Sequence, residues 1–370
     1  MSTFSELGVS EGITKGLNEL NIFDPTEIQS SAIPVLLKAE NDLVAQAQTG
    51  TGKTAAFGLP MLELVDGKKS AIQGLILAPT RELCQQIAKQ LFKFTKYSNK
   101  VFTEAVYGGA PINDQIERLK RPTHIVVATP GRLIDLLKRK AISLADVKYV
   151  ALDEADEMLS MGFKDDMFSI LDEIGINRSI WLFSATMPDG IQQIIKKFLR
   201  PNAMKIEVSR SAGVNENITH EYLICRSKDK IQELLHFLAY HPDERGMIFC
   251  QTKRAAQTLA KQLKAKNIMV DALEGDMGQR DRDKVMRMFK SEKIDLLVAT
   301  DIAARGIDVK GLNFVLHYQL PQQIEYYTHR SGRTGRAGAK GNSILFINER
   351  EKEKAYELAS ILKFQLKPLN

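Results

Sequence analysis

The stretch that most restricts how this chain can fold is Leu43–Thr54. A short apolar run, Leu43-Val44-Ala45, passes through Gln46 and Ala47 into Gln48-Thr49-Gly50-Thr51-Gly52-Lys53-Thr54. A helical pattern then continues through Ala55, Ala56 and Phe57. Strand, Gly-rich turn and Lys-Thr at a helix start form the layout of a Walker A phosphate loop. Without Cβ atoms at Gly50 and Gly52, backbone N–H groups can close on a polyphosphate, and the helix N-terminus adds partial positive charge. Lys53 is placed to reach β- and γ-phosphates, and the Thr54 hydroxyl to hold Mg²⁺. Ala47 stands where the strict pattern has its first Gly, so an ordinary strand-to-helix turn is the alternative at this point.

A phosphate loop needs an α/β sheet behind it, and the rest of the chain supplies the pattern. Apolar strand candidates at 43–46, 74–78, 101–107, 124–128, 148–152 and 180–184 alternate with helical stretches such as Arg81–Thr95. The regularity weakens after Arg200-Pro201-Asn202, with one last strand expected at 204–208. It restarts with strands at 221–225, 247–250, 269–273, 295–299, 314–318 and 343–347, and a helix near 351–362 is followed by only a few residues. Short apolar strands between helices imply parallel sheets covered on both faces. Two domains are expected, 1–208 and 218–370, joined by a polar linker at 209–217; 370 residues suffice for two cores.

Composition narrows the class. No apolar run approaches membrane-span length, and Met1–Ser10 carries no basic segment followed by an apolar one, so a soluble, cytoplasmic protein without a membrane partner is expected. Cys84, Cys225 and Cys250 are far apart and form no C-x-x-C pair, which favours reduced core thiols over a metal site. Trp181, within an apolar strand, is expected in the core. The first 205 residues hold 24 cationic and 24 acidic side chains, and the remainder 27 and 21, so the whole net charge of +6 lies in the second half. A basic half suggests a polyanionic partner.

About one hundred residues beyond the loop, Tyr149-Val150-Ala151-Leu152 runs into Asp153-Glu154-Ala155-Asp156. Acidic residues at the C-terminal end of a parallel strand lie on the edge where such sheets bind ligands. Asp153 is suited to share Mg²⁺ with Thr54, and Glu154, one step further out, to orient and deprotonate a water. An acidic helix start is the bland alternative.

Asp-Glu-Ala-Asp is also the name-giving motif of the DEAD-box ATP-dependent RNA helicases, which this chain resembles along nearly its whole length. In that family Ala is usual at the first position of the phosphate loop, which accounts for Ala47. Further blocks appear in the family's order: Phe23 with Pro25–Gln29, Pro79–Leu83, Gly108-Gly109, Thr129–Arg132, Ser184-Ala185-Thr186, Gln279–Arg282, Thr300-Asp301, Ala304–Asp308 and His329–Arg336. Each is short; the ordered set is specific. The resemblance implies two tandem RecA-like domains and an RNA-dependent ATPase that unwinds short duplexes or remodels RNA–protein complexes, using ATP and Mg²⁺.

It also implies site residues. ATP falls to Phe23, Thr26, Gln29, Gln48, Thr49, Gly50, Thr51, Gly52, Lys53 and Thr54, with Gly306 and Asp308 from the second half, Asp308 at the ribose. Gln29 carries an amide able to pair with an adenine N6/N7 edge, and Phe23 can stack on the base; a helix start with Pro25 at its first position explains the same residues. Catalysis falls to Lys53, Glu154, Arg333 and Arg336. The two arginines are three apart, facing one way if on a helical turn, and suit a γ-phosphate in its transition state. Ser184, Thr186 and His329 are implied to couple the domains. RNA falls to Pro79, Thr80, Arg81, Gly109, Thr129, Gly131 and Arg132 in the first domain and Thr252, Arg282 and Thr300 in the second. Thr hydroxyls, Gly amides and Arg are backbone-binding chemistry, so sequence-independent contact with the sugar-phosphate backbone is expected. Aromatic residues are only 7%, with no run suited to base stacking.

A translocating DNA helicase on the same two-domain chassis is a rival. Asp156, where such enzymes commonly carry His, and the Gln29 block argue for RNA. A clamp using ATP only as a latch is another; Lys53, Asp153, Glu154, Arg333 and Arg336 argue for turnover. Nothing in the sequence names a ribosomal or RNA-decay partner.

Overall fold

The computed structural model describes residues 2–38, 41–48, 50–98, 100–208, 217–304, 307, 309, 311–335 and 339–369, with Glu325 as backbone only. The chain divides into two compact units, Met1–Ser209 and Arg210–Asn370. Of the polar stretch 209–217, only Asn217 lies among the described residues, and its carbonyl accepts from Gly341 N at 2.9 Å, within the second unit.

The first unit contains strands β1 (Leu43–Gln46), β2 (Gly74–Leu77), β3 (Thr103–Val106), β4 (Ile125–Ala128), β5 (Tyr149–Leu152), β6 (Ser179–Ser184) and β7 (Met204–Glu207). They form one sheet in the order β3-β4-β2-β5-β6-β1-β7, and every pairing is parallel. Tyr149 and Ala151 of β5 join the core on one face, Val150 and Leu152 that on the other. A strand buried on both faces must be apolar at every position, which is why the central strands β2, β4 and β5 read as continuous apolar runs.

The second unit repeats the plan. Strands β8 (Ile218–Ile224), β9 (Gly246–Cys250), β10 (Val270–Leu273), β11 (Leu296–Thr300), β12 (Phe314–His317), β13 (Gly341–Ile347) and β14 (Leu366–Pro368) lie in the order β10-β11-β9-β12-β13-β8-β14, again all parallel. The order is that of the first sheet, strand for strand.

Two details differ from the sequence reading. β8 begins at Ile218 rather than Glu221, because His220 is buried and its polar side chain hides the strand pattern. β14 is an additional edge strand only three residues long; Pro368 is tolerated there because an edge position needs no N–H on its open side. Trp181 and all three cysteines are buried. Among the described residues, no helix is long and apolar enough to cross a membrane.

In a parallel sheet all C-terminal strand ends lie on one edge. Each unit therefore gathers its motif loops along one rim of its own sheet.

Candidate functional site

β1 lies between β6 and β7 and delivers the loop at 47–52 to that rim. The backbone of Ala47 remains tied to the sheet, its N–H donating to the Ser184 carbonyl at 3.0 Å. Gly50 and Gly52 adopt φ of +83° and +93°, the left-handed region that favours glycine. A Cβ on Gly52 would be strained by its φ and would lie 2.3 Å from Gln29 Nε2, so it would have to push that amide aside. Gln29 Nε2 donates to the Gly52 carbonyl at 3.0 Å, while its Oε1 accepts the Thr26 N–H at 3.0 Å. Thr26 Oγ1 donates to the Thr51 carbonyl at 2.8 Å. The Gln29 block thus grips the phosphate loop from outside, leaving the Gln29 amide one N–H and one lone pair. Phe23 is exposed to 58%. Lys53 opens the helix Lys53–Leu64; its buried ammonium donates to the Ala47 carbonyl at 3.0 Å, folded back over the loop. Thr54 follows, half-buried, and Thr49 lies outside the described residues.

The acidic block leaves β5 at the same rim. Asp153 is buried and its Oδ1 has no hydrogen-bond partner. Burial pushes its carboxyl up to about 7, the nearby Lys53 ammonium pulling it down and Glu154 adding to the rise. A buried acidic oxygen without a partner is what a hard cation satisfies. Among the described residues, no group of three or more His, Cys, Asp or Glu forms a metal cage. Mg²⁺ takes one or two protein ligands and completes its shell with phosphate and water. Thr54 and Asp153 fit it. Glu154 sits at φ +50°, an uncommon conformation for a side chain with Cβ, as N-cap of the helix Ala155–Ser160.

Asp156 ties this block to the end of β6. Its Oδ2 accepts from both the N–H and the hydroxyl of Thr186, each at 2.8 Å. Its own N–H donates to Ser184 Oγ at 3.3 Å, and Ser184 Oγ donates to the Thr186 carbonyl at 2.7 Å. With Ala47 bonded to Ser184, the phosphate loop, the acidic block and the Ser184–Thr186 turn are one hydrogen-bonded piece.

The other sequence-predicted groups of this unit lie at the ends of β2, β3 and β4, on one flank of the same rim. Thr80 caps the helix Arg81–Phe94, its hydroxyl accepting from Leu83 N at 3.2 Å, just after the buried Pro79. The Arg81 guanidinium lies 5.0 Å from the centre of the Tyr107 ring. Gly109, after β3, has φ +76°. Arg132, one residue past Gly131, clamps that loop by donating from both Nη atoms to the Ala110 carbonyl at 3.1 and 3.0 Å. Thr129 starts this helix at the end of β4.

In the second unit the equivalent strand ends are those of β9, β10 and β11. Thr252 caps the helix Lys253–Lys264 as Thr80 does its own, accepting from Ala255 N at 3.1 Å. Arg282 Nη2 donates to the Ala303 carbonyl at 2.7 Å, and the buried Thr300 ends β11. The helix carrying His329 ends at Ser331, with Gly332 as its cap, and Arg333 follows in a turn. Its N–H bonds to the Arg330 carbonyl, and its Nη1 donates to the Ile307 carbonyl at 2.6 Å. Gly306, Asp308 and Arg336 lie outside the described residues.

With this geometry, the chain matches the DEAD/DEAH box helicase family over residues 26–194 and the helicase conserved C-terminal domain over 229–338. The chain belongs to the DEAD/DEAH box helicase family. It is 44% identical to the ATP-dependent RNA helicase CshA of Listeria monocytogenes over 95% of this chain and 67% of that protein, and 43% identical to CshA of Bacillus cereus over 95% and 66%. It thus spans about two thirds of the length of these curated relatives. Among solved structures, S. cerevisiae Dbp5 bound to RNA and ADP BeF3 is 30% identical with a TM-score of 0.90, covering 100% of this chain and 96% of that one. Mss116p bound to ssRNA and AMP-PNP is 28% identical with a TM-score of 0.89, covering 100% and 80%. Family, tandem RecA-like fold and the ATP-dependent RNA helicase class agree with the sequence reading.

Sequence reasoning missed residues that hold this family machinery together. Asp156 reads in sequence only as the mark of an RNA enzyme, although its side chain anchors Thr186. Arg330, inside the His329–Arg336 block, carries no role in the sequence reading; it is 1% exposed and bonds Asp301. A charged residue between motif positions was the available signal.

Proposed function

We propose that the chain is the core of an RNA-dependent ATPase that locally separates short RNA duplexes or remodels RNA–protein complexes, with ATP and RNA together drawing two domains, 1–208 and 218–370, closed about the linker 209–217. The observation that carries this reading is the hydrogen-bonded union of phosphate loop, acidic block and Ser184–Thr186 turn on one rim. A change at the nucleotide reaches the Ser184–Thr186 turn through two bonds.

The polyphosphate lies against the backbone of Gln48, Thr49, Gly50, Thr51 and Gly52. Lys53 exchanges the Ala47 carbonyl for the β- and γ-phosphates. Thr54 and Asp153, the latter directly or through water, hold Mg²⁺, which when bound supplies neutralisation of phosphate charge. Glu154 orients the attacking water and takes its proton. Phe23 stacks on the adenine, while Thr26 and Gln29 bind its edge, so that the base is sensed by the residues gripping the loop. Gly306 and Asp308 complete the nucleotide side, and Arg333 and Arg336 stabilise the transferred phosphoryl group, a role that contributes about 10³–10⁵ in rate elsewhere. Ser184, Thr186 and His329 transmit between the domains.

RNA runs over Pro79, Thr80, Arg81, Gly109, Thr129, Gly131 and Arg132, and over Thr252, Arg282 and Thr300. These groups contact its sugar-phosphate backbone without reading sequence. The test is ATP turnover with and without RNA, beside unwinding of a short blunt duplex. Full RNA-stimulated turnover by Glu154→Gln or Arg333→Ala would overturn the assigned roles. Equal stimulation by DNA, or unwinding that demands a long single-stranded tail, would favour a translocating enzyme.

A further inference from the structure

The helix Lys253–Lys264 carries a charge that neither its fold nor its packing explains. Residues 251–269 contain Lys253, Arg254, Lys261, Lys264 and Lys266 and not one Asp or Glu, against a net charge of +6 for the whole chain. One side of the helix, Ala256, Leu259, Ala260 and Leu263, is buried against the sheet. The cations stand on the outer side, all exposed. Lys253 pairs with Asp276 and Lys264 with Asp271, whereas Arg254, Lys261 and Lys266 have no ion pair among the described residues.

A surface helix ordinarily gains from opposite charges three or four residues apart, and like charges at that spacing cost a few tenths of a kcal/mol. Here Lys261 and Lys264 are like charges three apart. The next helix in the chain, Gln279–Lys290, shows the usual arrangement: its cations are interleaved with Asp281 and Asp283, and Gln279 bonds Asp283 at 2.9 Å. The one-signed face is thus a local feature rather than the habit of a basic domain. Arg254 and Lys261 are seven residues apart, so they stand on one face about 10 Å from each other along the axis. The row starts at Thr252, the cap at the end of β9, and leads away from it.

We infer that this outer face, Thr252 through Arg254 and Lys261 to Lys266, is a secondary track for the sugar-phosphate backbone of RNA flanking the segment held at the strand ends. The inference rests on the RNA-binding reading above. It assigns these cations phosphate contacts only, so the track extends the footprint and leaves sequence preference unaltered.

The test compares the chain with an Arg254→Gln/Lys261→Gln/Lys266→Gln variant, using single-stranded RNA of 8 and of about 24 nucleotides. Binding is followed by anisotropy between about 50 and 200 mM salt, alongside stimulated ATP turnover. Three lost phosphate contacts make the salt slope on long RNA shallower by about 2, and affinity for it falls about tenfold or more. Binding of the 8-mer and the turnover it stimulates stay within about twofold. A charge-keeping variant, Arg254→Lys/Lys261→Arg/Lys266→Arg, retains the long-RNA slope and shows that charge rather than folding is read. Unchanged affinity and slope on long RNA would overturn the track while leaving the RNA reading intact. Equal loss on both lengths would place these residues in the main path and overturn it too. An 8-mer that neither binds nor stimulates the unaltered chain would overturn the RNA reading itself.

Discussion

Arg330 grips Asp301 through two parallel hydrogen bonds, Nε to Oδ1 at 2.5 Å and Nη2 to Oδ2 at 2.7 Å. The Arg330 Nη1 donates to the Gln319 carbonyl at 3.0 Å and lies 3.4 Å from His317 Nδ1. His317 Nε2 meets Ser343 Oγ at 3.0 Å, and Tyr327 links Ser343 to His220. One buried polar network therefore ties the ends of β11 and β12 to the helix preceding Arg333. Asp301 directly follows Thr300, so the proposed RNA contact and the proposed arginine finger hang from the same ion pair.

Breaking a buried pair leaves an uncompensated charge and costs about 3–5 kcal/mol. Arg330→Ala is expected to destabilise the chain by that amount in denaturant unfolding. Arg330→Lys keeps the charge but loses the planar fork, so it folds more stably than Arg330→Ala yet shows reduced RNA-stimulated turnover. Wild-type stimulation in Arg330→Lys would rule out a positioning role.

Thr186→Ala removes one of the two bonds to Asp156 Oδ2 and leaves the other, from the backbone. A hydrogen bond to a charged group contributes about 1.5–3 kcal/mol. Nucleotide affinity is expected to change little, because no loop contact is lost, while duplex unwinding per ATP hydrolysed falls at least severalfold. Parallel loss of affinity and unwinding would place Thr186 in the nucleotide pocket instead.

Gly52→Ala forces a Cβ into the left-handed region and against Gln29 Nε2. Backbone strain of this kind costs about 1–3 kcal/mol. ATP affinity is expected to fall about tenfold or more, as read by a fluorescent nucleotide. Gln29→Ala removes the clash but leaves the left-handed strain and loses the latch on the Gly52 carbonyl, so adding it to Gly52→Ala does not restore affinity.

Burial lowers the His220 imidazole to about 4 and holds His317 well below its ordinary value. As pH falls from 6.5, an unfolded chain takes up these protons first, so stability present at neutral pH is lost below about 6.5, down to about 4 in the case of His220. For His220 the loss is about 3 kcal/mol, at 1.36 kcal/mol per unit. Asp153, raised to about 7, acts in the opposite sense in the first unit, since its folded form takes up a proton first on acidification. The contribution of His220 is therefore the difference in pH slope between the chain and His220→Phe. A thermal-unfolding series from pH 7.5 to 4 gives it, and identical slopes would show that His220 titrates in the fold as it does in the unfolded chain, overturning the lowered value.

What the sequence by itself determined is the local physics. The run from Leu43 to Thr54 specifies strand, left-handed glycines and helix start within twelve consecutive residues, because periodicity and backbone freedom are properties of neighbours. The alternation of apolar strands with helices likewise carried both parallel sheets, and the order of the short motifs carried the family. Only the tertiary structure decided how those motifs are joined. Gln29 reaches Gly52, Asp156 reaches Thr186 thirty residues on, and Arg330 reaches back to Asp301 across twenty-nine. Strand order sets those meetings, and a polar residue leaves no mark in its own neighbourhood of the distant partner that satisfies it. β14 escaped for a related reason: three residues hold no period, and only the open edge of β8 makes them a strand.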